Sequence, residues 1–391
     1  MAAGVPYWRL SGFYFCYFAL LGTWVPYWAL YLKSLNFSSE EIGILSALVM
    51  ATKIVAPNLW GWLADTYGYR SRIIRYGAFS AVLAFCGVYL RSDFWWLAGV
   101  IVTYSFFWNA VLAQFDVLTL SHLAGRYGRY SRIRVWGSIG FIAAVLGVGW
   151  WLDHHPIVHL LYLITALLTG IWLASLLVAE KCGAVTNKQN RQSLASILRH
   201  PAVIAFFAVS FFLQLSHGPY YTFFSIYLEA QSYSKSAIGV YWSLGVIAEV
   251  VLFIGMHRVL AAYSLRAIVL WSLALSCLRW LLIAYFVEYP WVLFIAQCLH
   301  AASFGSYHAA GIEIIRLCFV GHHGQGMALY SGLSFGLGGA VGAVLSGWAW
   351  DVSGVLCFVA AAVAAAAALL IAWRYLHLPS DSEARTAEAG K

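Results

Sequence analysis

Tyr31-Leu32-Lys33 is followed by Ser38-Ser39-Glu40-Glu41-Ile42-Gly43, an apolar run with Lys53 in its middle, and Gly61-Trp62-Leu63-Ala64-Asp65-Thr66-Tyr67-Gly68-Tyr69-Arg70-Ser71-Arg72. The first part of this stretch returns 196 positions later as Tyr227-Leu228-Glu229, then Ser234-Lys235-Ser236-Ala237-Ile238-Gly239 and an apolar run centred on Glu249. Tyr31 falls on Tyr227, Ser38 on Ser234, Ile42 on Ile238, Gly43 on Gly239 and Lys53 on Glu249. One plan has been used twice, with a charge set into the same apolar helix of each copy. Duplication of this kind is the pattern of membrane carriers with repeated halves.

Composition bounds the rest. Of 391 residues, 62% are hydrophobic and 10% charged, and the mean hydropathy is +0.78. Soluble chains carry about 25% charge, so most of this surface faces lipid or the inside of a bundle. The apolar runs are each about 20 to 28 residues, enough to cross roughly 30 Å of hydrocarbon as helix. Twelve are expected, over 9–32, 41–64, 73–91, 94–121, 133–153, 157–179, 201–228, 237–257, 266–287, 290–316, 325–351 and 353–375. A barrel would need alternating strands of about ten residues, so the fold class is an all-α membrane protein.

The net charge of +8 does not point to nucleic acid. If both termini are cytoplasmic, the inner segments hold Arg9, Arg70, Arg72, Arg75, Arg126, Arg129, Arg132, Arg134, Lys181, Lys188, Arg191, Arg199, Arg258, Arg266, Arg316, Arg374, Arg385 and Lys391. The outer loops hold only Lys33, Arg91 and Lys235, with Lys53 and Arg279 inside spans. That is the positive-inside bias, and it makes the basic charge topological. Arg9 precedes a full-length span with no small-residue cleavage site, which argues against a removed signal peptide. The seven cysteines (16, 86, 182, 277, 298, 318, 357) show no metal or redox spacing, and neither a metal nor a cofactor is expected.

The polar stretch around Lys181, Asn187, Lys188, Asn190 and Arg191 reads as a cytoplasmic linker. It divides the chain into a half over 1–180, the linker over 181–200, a half over 201–376 and a tail over 377–391. Further echoes support two pseudo-symmetric six-helix halves. Gly140, Gly149, Trp150 and Asp153 fall on Gly338, Gly347, Trp348 and Asp351, and small residues at such positions let helices approach closely.

Several intramembrane polar residues are candidates for function, because burying them is costly. Lys53 should face either a cavity or a partner carboxylate. Asp116 and Glu313 occupy matching places nearer the inner end, where Arg134 and Arg316 offer them gating ion pairs. Span seven carries His217 before the kink Gly218-Pro219, and such a break points to a binding site. His217 there is either a hydrogen-bonded core residue or a proton carrier. Glu249 and Arg279, each about midway along its span, can pair near the midplane, and loss of an Arg partner in a dry site favours protonation of the acid. His300 and His308 lie close to one face of span ten. Lys53, Arg279 and Arg134 can hold a carboxylate and the abundant aromatics can sandwich a ring. If instead each pairs with an acid (Lys53 with Glu249, Arg279 with Glu249, Arg134 with Asp116), a neutral sugar or nucleoside fits better. Gly332-Leu333-Ser334-Phe335-Gly336 matches a hydrolase nucleophile pattern, but it lies in a glycine-rich helix and not at a strand-to-helix elbow.

The segment from Gly61 to Arg72 resembles the loop between helices two and three of the major facilitator superfamily, Gly-x-Leu-Ala-Asp-Arg-x-Gly-Arg-Arg. It keeps Gly61, Leu63, Ala64, Asp65, Gly68 and Arg70, departs at Thr66 and Tyr69, and continues to Arg72. The resemblance implies twelve helices in two halves, with Asp65 and the arginines latching an inner gate. The second copy, His257 to Arg266, has lost the Asp and both Gly. Tyr241 to Val250, Arg279-Trp280, Leu299-His300, His308-Ala309-Ala310 and Arg134-Val135-Trp136-Gly137-Ser138 look like the phenylpropionate permease branch of that superfamily. The acid, Arg and His set also resembles that of lactose permease. Membership would imply uptake of an aromatic carboxylate with protons as coupling ion, by a monomer in a bacterial inner membrane whose partners are its small-molecule substrate and the lipid bilayer.

Overall fold

The computed structural model describes residues 5–123, 129–180 and 193–378. Arg126 in its basic loop, the linker residues Lys181, Cys182, Lys188 and Arg191, and the tail residues Arg385 and Lys391 lie outside the described residues. Among those described there is no β-strand. The helices are α1 (Tyr7–Ser34), α2 (Ser39–Tyr67), α3 (Arg70–Tyr89, its last turn tightened from Cys86), α4 (Phe94–Leu123), α5 (Tyr130–His154) and α6 (His159–Leu176). After a one-turn helix at Leu194–Leu198 come α7 (Pro201–Ala230), α8 (Lys235–Ala262), α9 (Leu265–Phe286), α10 (290–318), α11 (His323–Val352) and α12 (Gly354–Tyr375).

Eleven of these are long and apolar enough to cross a membrane as regular helices. The twelfth, α10, has the length but is interrupted. It runs Pro290–Cys298, then a π-helical segment Ala301–Ser306, then Tyr307–Cys318. A second π-helical segment, Gly332–Gly338, sits inside α11. Such widened turns recur at functional sites.

The two copies of the repeat build the same local structure. Ser38 caps α2 by accepting from the Glu41 amide at 3.2 Å, and Glu41 returns the bond to the Ser38 amide at 2.8 Å. Ser234 caps α8 in the same way on the Ala237 amide at 3.1 Å. At the far end of α2, Gly68 takes φ +73°, a left-handed cap that suits glycine.

The first six helices pack mainly among themselves, as do the last six, and the two groups meet along α2–α11, α5–α8 and α1–α7. The approach is closest at the end that carries residues 33–39 and 229–236. A Cβ on Gly43 would lie 2.8 Å from the Ala343 carbonyl oxygen, and one on Gly239 would lie 2.5 Å from that of Val145. Cross-group hydrogen bonds among the described residues concentrate at this end. Lys33 pairs with Glu229 at 2.9 Å, and Tyr27 donates to the Lys235 carbonyl at 3.2 Å. Asp153 at the end of α5 accepts from the amides of Lys235 and Ser236 at 2.7 and 3.0 Å and from the Ser236 hydroxyl at 2.5 Å.

At the opposite end, Trp62, Tyr67 and Tyr69 are exposed and Asp65 contacts Arg70 of its own loop. Among the described residues, hydrogen bonds thus fasten the two groups at one end and not at the other. A carboxylate on a helix N-terminus with three donors contributes about 1–2 kcal/mol. Asp153→Ala is expected to loosen the shut end, raising several-fold the rate at which a cysteine placed at Ala29 reacts with an impermeant maleimide. An unchanged rate would mean that the glycine contacts alone keep it shut.

Candidate solute and proton site

The site is built on the break in α7. Pro219 has no amide hydrogen and starts the second half of the helix, Gly218–Ala230, after the first ends at Ser216. The residue at the joint, His217, is fully buried, and its Nδ1 donates to the Leu213 carbonyl at 2.8 Å. That bond leaves Nε2 as a bare acceptor with no hydrogen-bond partner. Gly218 makes the joint possible, because any Cβ there would lie 2.3 Å from the Gly342 carbonyl carbon of α11.

Arg279 of α9 is the second component. It is fully buried and every described contact it makes is to a neutral group. Nε donates to the Ala296 carbonyl at 3.0 Å, one terminal nitrogen to Ser303 Oγ at 3.3 Å and the other to Gln297 Oε1 at 3.4 Å. The guanidinium lies 4.2 Å from the centre of the Tyr220 ring and 4.5 Å from that of Trp280. Tyr220 also donates to Gln297 at 3.0 Å, which fixes the amide. Hydrogen bonds and ring faces together offset the cost of burying this cation.

The third component is Glu249 of α8 with His300 of α10. Glu249 Oε1 lies 3.5 Å from His300 Nε2, with the side chains 15% and 8% exposed. No hydrogen bond satisfies that carboxylate oxygen, and His300 Nδ1 also has no partner. His300 stacks on Phe304 at 5.5 Å, and Phe304 stacks on His308 at 5.9 Å. His308 Nδ1 in turn lies 3.3 Å from the Tyr330 hydroxyl of α11. The two histidines do share a face of α10, with an aromatic ring filling the space between them.

Three pairings open to the sequence are not made. No ion pair joins Glu249 to Arg279: the carboxylate takes His300, and the guanidinium donates to three neutral acceptors. None joins Glu249 to Lys53, whose ammonium has only the Met50 sulfur, at 3.5 Å. Asp116 is held by the hydroxyls of Tyr14 and Tyr130 at 2.6 and 2.9 Å and not by Arg134, whose guanidinium lies over the rings of Phe18 and Tyr14 at 4.0 and 5.2 Å. The matching acid in the second copy does bond its arginine, Glu313 to Arg316 at 2.6 Å, one turn away on the same helix.

In the loop motif, Asp65 contacts Arg70, Arg70 donates to Gln114 of α4 at 2.5 Å, and Arg72 lies over the Tyr69 ring at 4.3 Å. Gly61 lies against Gln114 as well, and a Cβ there would sit 3.4 Å from its amide nitrogen. All these contacts stay within the first six helices. Ser334 is fully buried in a π-helical segment and its Oγ has no partner, so among the described residues it has no base to activate it.

Sequence reasoning missed Gln297, Ser303 and Phe304, while Tyr220 was read only as an aromatic following the kink. Phe304 was findable, since it stands four residues from each histidine. The others had no signal beyond their polarity.

Twelve helices in two repeat-related groups with a cluster of buried charges in the second, together with the family match over most of the chain, define a multi-pass membrane transporter of the major facilitator superfamily. Residues 7–360 match the model of the MFS_1 like family, and the chain belongs to that family. It is 27% identical over 360 residues to an Escherichia coli (strain K12) protein described as a probable 3-phenylpropionic acid transporter, covering 87% of this chain and 90% of that one. It is also 27% identical over 360 residues to a maltose permease of Geobacillus stearothermophilus, covering 88% and 89%. Among solved structures, a point variant of the nucleoside transporter NupG has the same fold, with a TM-score of 0.82 at 19% identity over 94% of this chain and 98% of that one.

Proposed function

We propose that this protein is a proton-coupled symporter of a small organic solute, an aromatic carboxylate such as 3-phenylpropionate. It works as a monomer in a bacterial inner membrane with both termini in the cytoplasm. The observation that carries the choice of an anion is that Lys53, Arg134 and Arg279 have no carboxylate within ion-pair distance among the described residues. Against the two interior acids Asp116 and Glu249 these cations leave one positive charge in excess, which an anionic solute offsets. The similarity to a probable 3-phenylpropionic acid transporter supports the same class.

Coupling falls to Glu249. Its carboxyl lies 3.5 Å from His300 Nε2 on the wall of the second group, so taking up or releasing a proton changes the charge of that wall. With the termini cytoplasmic, the unfastened end bearing Asp65 and Arg70 faces the cytoplasm, and the described state is the one that releases solute inward. A second reading, a proton-coupled sugar or nucleoside symporter, is favoured by the similarity to a maltose permease.

Uptake of labelled 3-phenylpropionate into proteoliposomes, with and without an inward proton gradient, separates the two. Gradient-driven accumulation of the acid supports the first reading. Accumulation of maltose or a nucleoside, and none of the acid, replaces it with the second.

A further inference from the structure

Lys53 stands between two contact faces of α2. Toward α11, Met50 lies 3.4 Å from where a Cβ of Gly339 would be, and Ile54 presses on Gly336 at 2.6 Å. Toward α4, Thr52 donates to Ser105 at 2.9 Å and accepts from Asn109 at 2.8 Å. At about 100° per residue, Lys53 falls between these faces and opposite the exposed Val55 and Trp62. The side chain is therefore turned toward the inside of the bundle, in mid-span, with a thioether as its only described polar neighbour. A cation so placed requires an anion from somewhere.

On α11, the residue next to Gly336 is Phe335, in the π-helical segment. Its ring lies 5.9 Å from Phe304 and 5.9 Å from His308, and 5.7 Å from Tyr330. The α2–α11 contact thus brings a lone ammonium on the first six helices beside an aromatic cluster on the last six. We propose that Lys53 anchors the substrate carboxylate while the wall of Phe304 and Phe335 receives its ring. Arg279, held by three neutral acceptors and two ring faces of its own group, positions Tyr220, Gln297 and Ser303 and does not touch the solute. This inference rests on the carboxylate reading given above. It assigns the anion site and requires a substrate with one negative charge and one ring joined by a short linker.

The test is equilibrium binding to the purified full-length protein in detergent, with 3-phenylpropionate and its neutral analogue 3-phenylpropan-1-ol as probes. The wild type is expected to bind the acid at least about tenfold more tightly than the alcohol, the range for a hydrogen bond to a charged group. Lys53→Met should bind both alike, with alcohol affinity unchanged, and Lys53→Arg should keep the preference. Lys53→Gln serves in place of Lys53→Met if the latter does not purify as a folded monodisperse protein. A preference for the acid that survives removal of the ammonium overturns the assignment of Lys53 and leaves the carboxylate reading standing. A wild type with no preference for the acid overturns both.

Discussion

Proteoliposomes containing Glu249→Gln exchange labelled 3-phenylpropionate across the membrane but do not accumulate it when an inward proton gradient is imposed. Glutamine has the shape of the protonated carboxyl and can still meet His300, which lies 3.5 Å from the native oxygen. The variant is thus fixed in the loaded form, in which the solute and the carrier can cycle together. It cannot release a proton to make the return step downhill. One proton per solute and a gradient of one pH unit supply about 1.4 kcal/mol, or roughly tenfold accumulation. The wild type should approach that ratio and the variant should stay near unity. Equal accumulation by both would remove Glu249 from coupling and leave His217 and His308 as the groups to examine.

The second large effect is expected at Arg279. Arg279→Ala should lose transport altogether, and it should also lower the thermal stability of the detergent-purified protein, by the equivalent of about 3 kcal/mol. The fully buried guanidinium touches Ala296, Gln297 and Ser303 by hydrogen bonds and two aromatic faces by stacking, so its removal opens a void and leaves those acceptors unpaired. Arg279→Lys should recover little, because an ammonium cannot reach three divergent acceptors while lying flat on Tyr220. A stable Arg279→Ala that binds solute normally would contradict this structural role. Normal stability with lost binding would move the anion site from Lys53 to Arg279.

Much of the architecture was legible in the residues. Ser38 and Ser234 announced the starts of α2 and α8, and the length of the apolar runs gave the helices. The motif from Gly61 to Arg70 gave the superfamily. Repeat symmetry was less reliable as a guide to contacts. Lys33 and Glu229 are equivalent positions that do meet, at 2.9 Å, because the shut end brings both copies to the axis relating them. Lys53 and Glu249 are equivalent too, yet they do not pair, since mid-span positions stand on opposite walls of the cleft.

The partners of Arg279 were illegible for another reason. Gln297 and Ser303 are six residues apart, and only the π-helical widening at Ala301–Ser306 helps present both to one guanidinium. Hydrophobic periodicity carries no mark of an extra residue in a turn.

The Asp153 contact has a counterpart that failed to form. Asp351 holds the equivalent place at the end of α11, beside the start of α2, but it is exposed and makes no hydrogen bond of this kind among the described residues. The start of α2 is already closed by its own Ser38–Glu41 box and carries Glu40 and Glu41 in its first turn, so it repels a visiting carboxylate. Of the two repeat-related edges at the shut end, only α5–α8 carries such a bolt. The α5–α8 edge must be unfastened before it moves, whereas the α2–α11 edge, where bare glycine backbones rest on one another, can turn as the hinge.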